Sequence, residues 1–213
     1  MNRFDNIDCM QGMAEYEDNH FDLAMVDPVY MNGFNTGMWV DVLGENKDYK
    51  NKTQTIEVKT TPDYFVELFR VSKNQIVFGG NYFQLPISRG WIVWDKDNSE
   101  NNFSDCELAW TSFDVILRKY RYRWHGMLQE KMGRYKEERI HPTQKPTALY
   151  KWLLAKYAKD GDLILDTHVG SASSLIACED MGFNYVAFEI DKDYYDAAQK
   201  RLKQFRSQLK LQL

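Results

Sequence analysis

Three short stretches hold the residue types that do chemistry. The first is Asp27-Pro28-Val29-Tyr30. It follows Phe21 to Val26, an apolar run that reads as a buried strand, and Pro28 cannot continue a ladder, so the strand ends at Asp27. A carboxylate, a rigid bend and an aromatic ring are thus presented together at the carboxyl end of a strand, where open α/β sheets bind their ligands. The second stretch begins with the apolar run Leu163 to Leu165, which closes on Asp166. A loop of small residues, Gly170-Ser171-Ala172-Ser173, leads into a helix over about 174–181 that Gly182 stops. A further strand, Tyr185 to Phe188, closes on Glu189. This is a βαβ unit. Its loop turns backbone N–H groups outward at a helix N-terminus, and an acid at the second strand end suits ribose hydroxyls, so a nucleoside-type ligand fits. The spacing is not Gly-x-Gly-x-x-Gly, which argues against a dinucleotide-dependent dehydrogenase. The third stretch, His141-Pro142-Thr143-Gln144-Lys145-Pro146, is stiffened by two prolines and leads into a helix over Thr147 to Tyr157. Lys145 there is suited to hold a carboxylate.

The elements that must position these stretches are legible from periodicity. Asp8 to Met13 reads as a strand end and a helical turn. Thr61-Pro62 starts a helix, with proline in the first turn and an apolar face of Tyr64, Phe65, Leu68, Phe69 and Val71. Strands are expected at Ile76 to Phe78, ahead of Gly79-Gly80, and at Trp91 to Trp94, ahead of Asp95. Leu108 to Trp110 and Val115 to Leu117 read as a closing antiparallel pair. Tyr194, Ala197, Ala198, Leu202 and Phe205 give the last helix, over 193–207, a core face. The segment 31–55 is polar, lacks periodicity and is long for a compact domain, which reads as a mobile loop or lid.

Composition sets the limits. The 213 residues suit one domain, and 44% hydrophobic and 15% aromatic residues supply a sizeable core. No apolar run reaches bilayer length and the first ten residues are not signal-like, so a cytoplasmic protein is expected. Cys9, Cys106 and Cys178 are scattered, and neither a disulfide framework nor a metal site is expected. With a formal net charge of −4, a nucleic-acid partner must meet a local basic patch. The segment 118–140 is such a patch: Arg118, Arg121, Arg123, Arg134 and Arg139 are interleaved with Tyr120, Tyr122, Trp124 and Tyr135. Cations there bind phosphates and aromatic faces stack on unpaired bases. The alternative is a hairpin with one charged face and one packed face.

The order of the three motifs resembles that of the beta-class DNA amino-methyltransferases, which methylate the exocyclic nitrogen of adenine or cytosine using S-adenosylmethionine. The resemblance covers most of the chain, and the His-Pro-Thr-Gln-Lys-Pro stretch is its most specific part. It implies an α/β, Rossmann-like methyltransferase fold over 1–213, circularly permuted. The sheet is mostly parallel, the Asp27 and Asp166 strands are neighbours, and 118–140 is a small inserted target-recognition segment.

Residue by residue, the resemblance makes Asp27 and the Pro28 carbonyl acceptors for the target amino group and lets Tyr30 stack on the extruded base. Asp166, His168, Gly170, Ser171 and Ser173 would bind the methionine part of the cofactor, with Asp27, Thr143 and Lys145 nearby. Glu189 would hold the ribose, and Asp8 and Cys9 would meet the adenine. Arg118, Arg121, Arg123, Trp124, Arg134 and Arg139 would meet double-stranded DNA. Aspartate at the first motif position points to adenine N6. Cytosine N4, an RNA substrate and a catalytically silent binding subunit stay open, as does a homodimer. The chain departs from the family pattern in three places. Val29 replaces a second proline, His168 a more usual aromatic, and Ala172 a more usual glycine. Ala172 must therefore take a negative φ or bear strain.

Overall fold

The computed structural model describes residues 2–29, 60–98, 104–125 and 128–209. Tyr30 and the expected lid at 31–55 lie outside them. The strands are β1 (Arg3–Asp5), β2 (Leu23–Val26), β3 (Gln75–Phe78), β4 (Trp91–Asp95), β5 (Cys106–Thr111), β6 (Arg118–Arg121), β7 (Trp124–His125), β8 (Leu128–Gln129), β9 (Leu163–Asp166) and β10 (Asn184–Phe188). The α-helices are α1 (Cys9–Met13), α2 (Pro62–Val71), α3 (Thr147–Tyr157), α4 (Ser173–Met181) and α5 (Lys192–Leu209).

Among the described residues one sheet of eight strands runs β1-β10-β9-β2-β3-β5-β4-β6. The first five are mutually parallel. β5 is antiparallel to both β3 and β4, and β6 is parallel to β4. The fold is α/β with a mostly parallel sheet. The early strand β1 pairs with the late strand β10, and late β9 sits beside early β2, which is the permuted order. Ala24 lies opposite Leu165, so the strands carrying Asp27 and Asp166 are neighbours, as expected.

Burial follows the twofold alternation of strands. Leu23, Met25, Ile76, Phe78, Ile164, Tyr185 and Ala187 point to a core closed by α3, α4 and α5. Ala24, Val26, Val77, Leu165, Val186 and Phe188 point to a second core closed by α1 and α2. Layers on both faces explain why the central strands read as continuous apolar runs.

Two sequence readings need correction. Val115 to Leu117 forms no strand, and Ile116 and Leu117 are exposed. The strand there is the next stretch, the polar β6, which pairs with β4 at the outside of the sheet. The antiparallel partner of Leu108 to Trp110 is instead β4 on one side and β3 on the other. Among the described residues, no helix is long and apolar enough to cross a membrane.

Candidate active site at the carboxyl edge of the parallel strands

Parallel strands put their carboxyl ends on one edge, so Asp27 after β2, Asp166 at the end of β9, Glu189 after β10 and Asp8 after β1 all meet there. A shallow depression lined by Asn2, Glu179, Gly182 and Arg206 lies at the opposite, amino-terminal edge and is no part of this group.

Asp27 is set among charges. Lys145 Nζ donates to Asp27 Oδ2 and lies 3.4 Å from Glu107 Oε2. Lys96 Nζ holds the other oxygen of Glu107, Oε1, at 2.6 Å. The Lys145 side chain is only 3% exposed and its ammonium sits 4.7 Å from the centre of the Phe78 ring. Burial pushes the Asp27 carboxyl above its usual range, Lys145 draws it down, and Glu107 pushes it up again, leaving it raised. Burial acts upward on Glu107 too, but Lys145 and Lys96 together outweigh it and hold Glu107 low. Asp27 Oδ1 is buried and accepts no hydrogen bond among the described residues. Behind it, the Thr60 hydroxyl donates to the Val29 carbonyl at 2.8 Å and ties down the turn after Pro28.

The small-residue loop is held at both ends. Asp166 Oδ1 accepts from the His168 N–H at 3.0 Å, and Oδ2 accepts from the Ser174 hydroxyl. Burial pushes Asp166 up to about 7, against those two donors. Glu189 Oε2 accepts from the Gly170 N–H at 2.8 Å and Oε1 from the Asp191 N–H at 2.9 Å. Gly170 takes φ +53°, and a Cβ there would meet the His141 ring at 3.4 Å. Ala172, fully buried at the N-cap of α4, takes φ +62°, so the strained alternative is the one adopted.

Of the other expected cofactor residues, Asp8 caps α1: its Oδ1 accepts from the N–H groups of Met10 and Gln11 at 2.9 and 3.3 Å. Cys9 follows, its thiol pushed up to about 12 chiefly by burial. His168 packs edge-on against Tyr64, its Nδ1 2.8 Å from the Thr167 hydroxyl, and burial draws it down to about 4. Thr143 is exposed and turned to His141, 3.1 Å from Oγ1 to Nδ1, while the His141 ring packs on Tyr194. Lys145 stands with Asp27 rather than with the loop.

The basic segment divides by parity. Tyr120, Tyr122 and Trp124 turn inward. Tyr120 stacks on Tyr122 and on Trp152 of α3, and Trp124 is 5% exposed, donating from Nε1 to the Gln144 carbonyl at 2.7 Å. Trp124 is therefore a packing residue, which corrects its assignment as a base-stacking surface. Arg121 and Arg123 turn outward and both bind Asp97. Arg118 is exposed, and Arg134 is exposed over the ring of exposed Tyr135 at 4.7 Å. Arg139 lies lower, donating to the Pro142 carbonyl at 2.8 Å.

Sequence reasoning missed three residues here. Glu137 caps α3, its carboxylate accepting from the Thr147 N–H at 3.1 Å and from the Thr147 hydroxyl at 2.8 Å. Arg201, from α5, holds Glu137 at 2.6 Å and the Ser171 carbonyl at 2.7 Å. Glu107 carried no motif at all.

Comparison with known proteins gives the family and the fold. Residues 45–200 match the N6/N4 DNA methylase family. The type II methyltransferase M.HpaI of Haemophilus parainfluenzae is 22% identical over 232 residues, spanning 91% of this chain and 71% of that one. The crystal structure of an M1.HpyAVI–SAM complex superposes with a TM-score of 0.58 at 16% identity, covering 94% of this chain and all (100%) of the other. PvuII DNA methyltransferase, described as cytosine-N4-specific, gives a TM-score of 0.58 at 13% identity over 92% of this chain and 84% of its own. At such identities the superpositions speak for the fold, and the sequence match speaks for the lineage. The chain belongs to the N6/N4 DNA methylase family.

Proposed function

We propose that the chain transfers a methyl group from S-adenosylmethionine to adenine N6 of double-stranded DNA, with the target base turned out of the helix. The observation that carries this reading is Asp27 Oδ1, a buried acceptor with no donor among the described residues, on the same strand edge as Asp166 and Glu189. An exocyclic amine is a weak nucleophile because its lone pair is delocalised into the ring. Acceptors on both its hydrogens, here Asp27 Oδ1 and the Pro28 carbonyl, favour a pyramidal nitrogen whose lone pair faces the methyl donor. Bound S-adenosylmethionine supplies a methyl on a cationic sulfur that leaves as a neutral thioether. Asp27 would receive the proton that the nitrogen releases once its new N–C bond has formed. Positioning and fixed charge then carry the catalysis.

Asp166, Gly170, Ser171 and Ser173 would hold the amino-acid part of the cofactor, and Glu189 the ribose. Both grips require exchange of bonds the loop now makes to itself. Tyr30 remains the proposed stacking partner of the extruded base. Arg118 and the Arg134–Tyr135 pair are the exposed groups best suited to phosphates and bases. Cytosine N4 is the second reading, favoured by the equal structural likeness to PvuII DNA methyltransferase. Aspartate at the first motif position supports adenine.

The test is transfer of labelled methyl to mixed-sequence duplex DNA, followed by nucleoside analysis. Label in N6-methyladenine is expected, and label in N4-methylcytosine overturns the choice of base. Asp27→Ala should abolish transfer while cofactor binding persists. Normal transfer by that variant removes Asp27 from the mechanism.

A further inference from the structure

Lys145 is shared. One carboxylate, Asp27, stands at the end of β2 and the other, Glu107, belongs to β5. The sharing follows from strand register. Met25 and Asp27 are two apart and so face the same way, toward the core closed by α3. Glu107 lies opposite Trp94 across the β4–β5 ladder, and Lys96 lies two residues beyond Trp94. Lys145 arrives from above, just ahead of α3. Four charges therefore run in a line on one face of the sheet: Lys96, Glu107, Lys145 and Asp27. Signs alternate, so the line is neutral as a whole, yet each inner member is held from two sides.

We propose that Glu107, braced by Lys96, is a positioning residue for Asp27: by sharing Lys145 it keeps the ammonium on Oδ2 and leaves Oδ1 a strong acceptor for the target amine. This rests on the reading of Asp27 given above. A lone Lys–Asp pair would do the opposite. An ammonium bound to Asp27 alone draws the carboxylate's charge to itself and weakens it toward a neutral N–H donor. Glu107 counters that draw from the far side, and Lys96 limits how far it does so. Glu107 Oε2 lies 3.4 Å from Lys145 Nζ, farther than Asp27 Oδ2 does, and has no closer hydrogen-bond partner among the described residues, so Glu107 acts on the ammonium mainly as a counter-charge while Asp27 holds the hydrogen bond.

The ionisable groups coupled to Asp27 are Lys145, Glu107 and Lys96, with Asp166 from β9, Tyr64 from α2 and Tyr150 from α3. Two of them act on Asp27 in opposite senses. Glu107 raises its protonation and Lys96 lowers it. The two substitutions Glu107→Gln and Lys96→Gln should therefore move the acid limb of the kcat–pH profile in opposite directions. Glu107→Gln should shift it to lower pH and Lys96→Gln to higher pH, each on the order of one pH unit or less. Glu107→Gln should also lower kcat about tenfold to a hundredfold, less than loss of a group that touches the reacting atoms directly. The KM for S-adenosylmethionine should stay within about twofold, since neither residue meets the proposed cofactor grip.

The experiment measures kcat and KM against pH for the full chain on duplex DNA, with cofactor binding by calorimetry as the check that each variant is folded. If Glu107→Gln does not fold, the Lys96→Gln shift and Glu107→Asp, which keeps the charge and should keep the limb in place, still decide. Limbs that move together, or do not move, overturn the proposal. A loss that falls on the cofactor KM instead of kcat overturns it as well. Asp27→Ala is run alongside. If that variant still transfers methyl, the reading of Asp27 fails and this proposal falls with it. If Asp27→Ala is dead and the Glu107 variants behave as wild type, the proposal alone fails.

Discussion

The N–H of Gly170 donates to Glu189 Oε2 at 2.8 Å, so the small-residue loop and the end of β10 already hold one another. Glu189 is the proposed ribose grip, and its second oxygen is engaged by Asp191. Glu189→Gln can still accept one of those two N–H bonds but not both in the same way. It should weaken S-adenosylmethionine binding roughly tenfold, as expected for one charged hydrogen bond lost. The kcat at saturating cofactor should change little. Calorimetric titration and a saturation curve check both halves.

Asp166 gives a pH-dependent prediction. Its carboxyl is pushed up to about 7 in the folded chain, against an ordinary value of 3.8. Between those values the folded chain keeps a proton that the unfolded chain has released. The folded form therefore binds more protons, and the Asp166 contribution to stability falls as pH rises from about 4 to about 7. Asp166→Asn removes this dependence. Denaturation midpoints of wild type and variant, followed over that window, should converge toward the acid end. The variant should gain relative stability toward neutrality.

Ala172 and Ala177 are both fully buried, but only Ala172 is left-handed, at φ +62°. Relief of αL strain, about 1–2 kcal/mol, offsets the entropy and lost methyl contact of glycine at 172. Ala172→Gly should therefore alter stability by less than about 0.5 kcal/mol. Ala177→Gly, inside α4, gains no such relief and should cost about 1–2 kcal/mol from helix propensity and lost burial. Paired urea titrations distinguish the two sites.

The basic segment offers a contrast of roles. Trp124→Ala empties a buried, hydrogen-bonded position and should cost about 3–5 kcal/mol of stability. Arg134→Ala should leave stability unchanged and reduce the salt slope of DNA binding by about one. Fluorescence binding curves at several salt concentrations, with melts alongside, test both.

What the sequence made legible was the half of the sheet whose strands are covered on both faces. Leu23 to Val26 and Leu163 to Asp166 announce themselves because every residue must be apolar until the acid that ends the run. The outer strands carry no such mark. Arg3–Asp5 and Arg118–Arg121 are polar because one of their flanks meets water, and their place is fixed by backbone pairing with distant strands. Trp124 misled for a related reason. Alternating arginine and aromatic residues look alike whether the rings face a base or a helix, and only the position of Trp152 and Gln144 decides. Glu107 was invisible because its neighbours come from a ladder, a distant lysine and another strand end. Arg201 carried no motif either, yet it joins Glu137 to the Ser171 carbonyl.

The pairing of Arg3 with Val186 has a consequence for how the protein comes into being. Contacts between these two strands, such as Asn2 with Tyr185, close a separation of 183 residues. During synthesis β1 emerges first and waits, unpaired, for almost the whole remaining chain. The loop-bearing strand β9 is likewise late, while its neighbour β2 is early. Such non-local pairing slows folding and leaves early strands open to wrong partners. The edge that carries Asp27, Asp166 and Glu189 can therefore assemble only once residues beyond Phe188 have left the ribosome, whereas β2, α2 and β3 can dock much sooner. A chain stalled before that point would contain Asp27 and its lysine and still lack the proposed grip for a methyl donor.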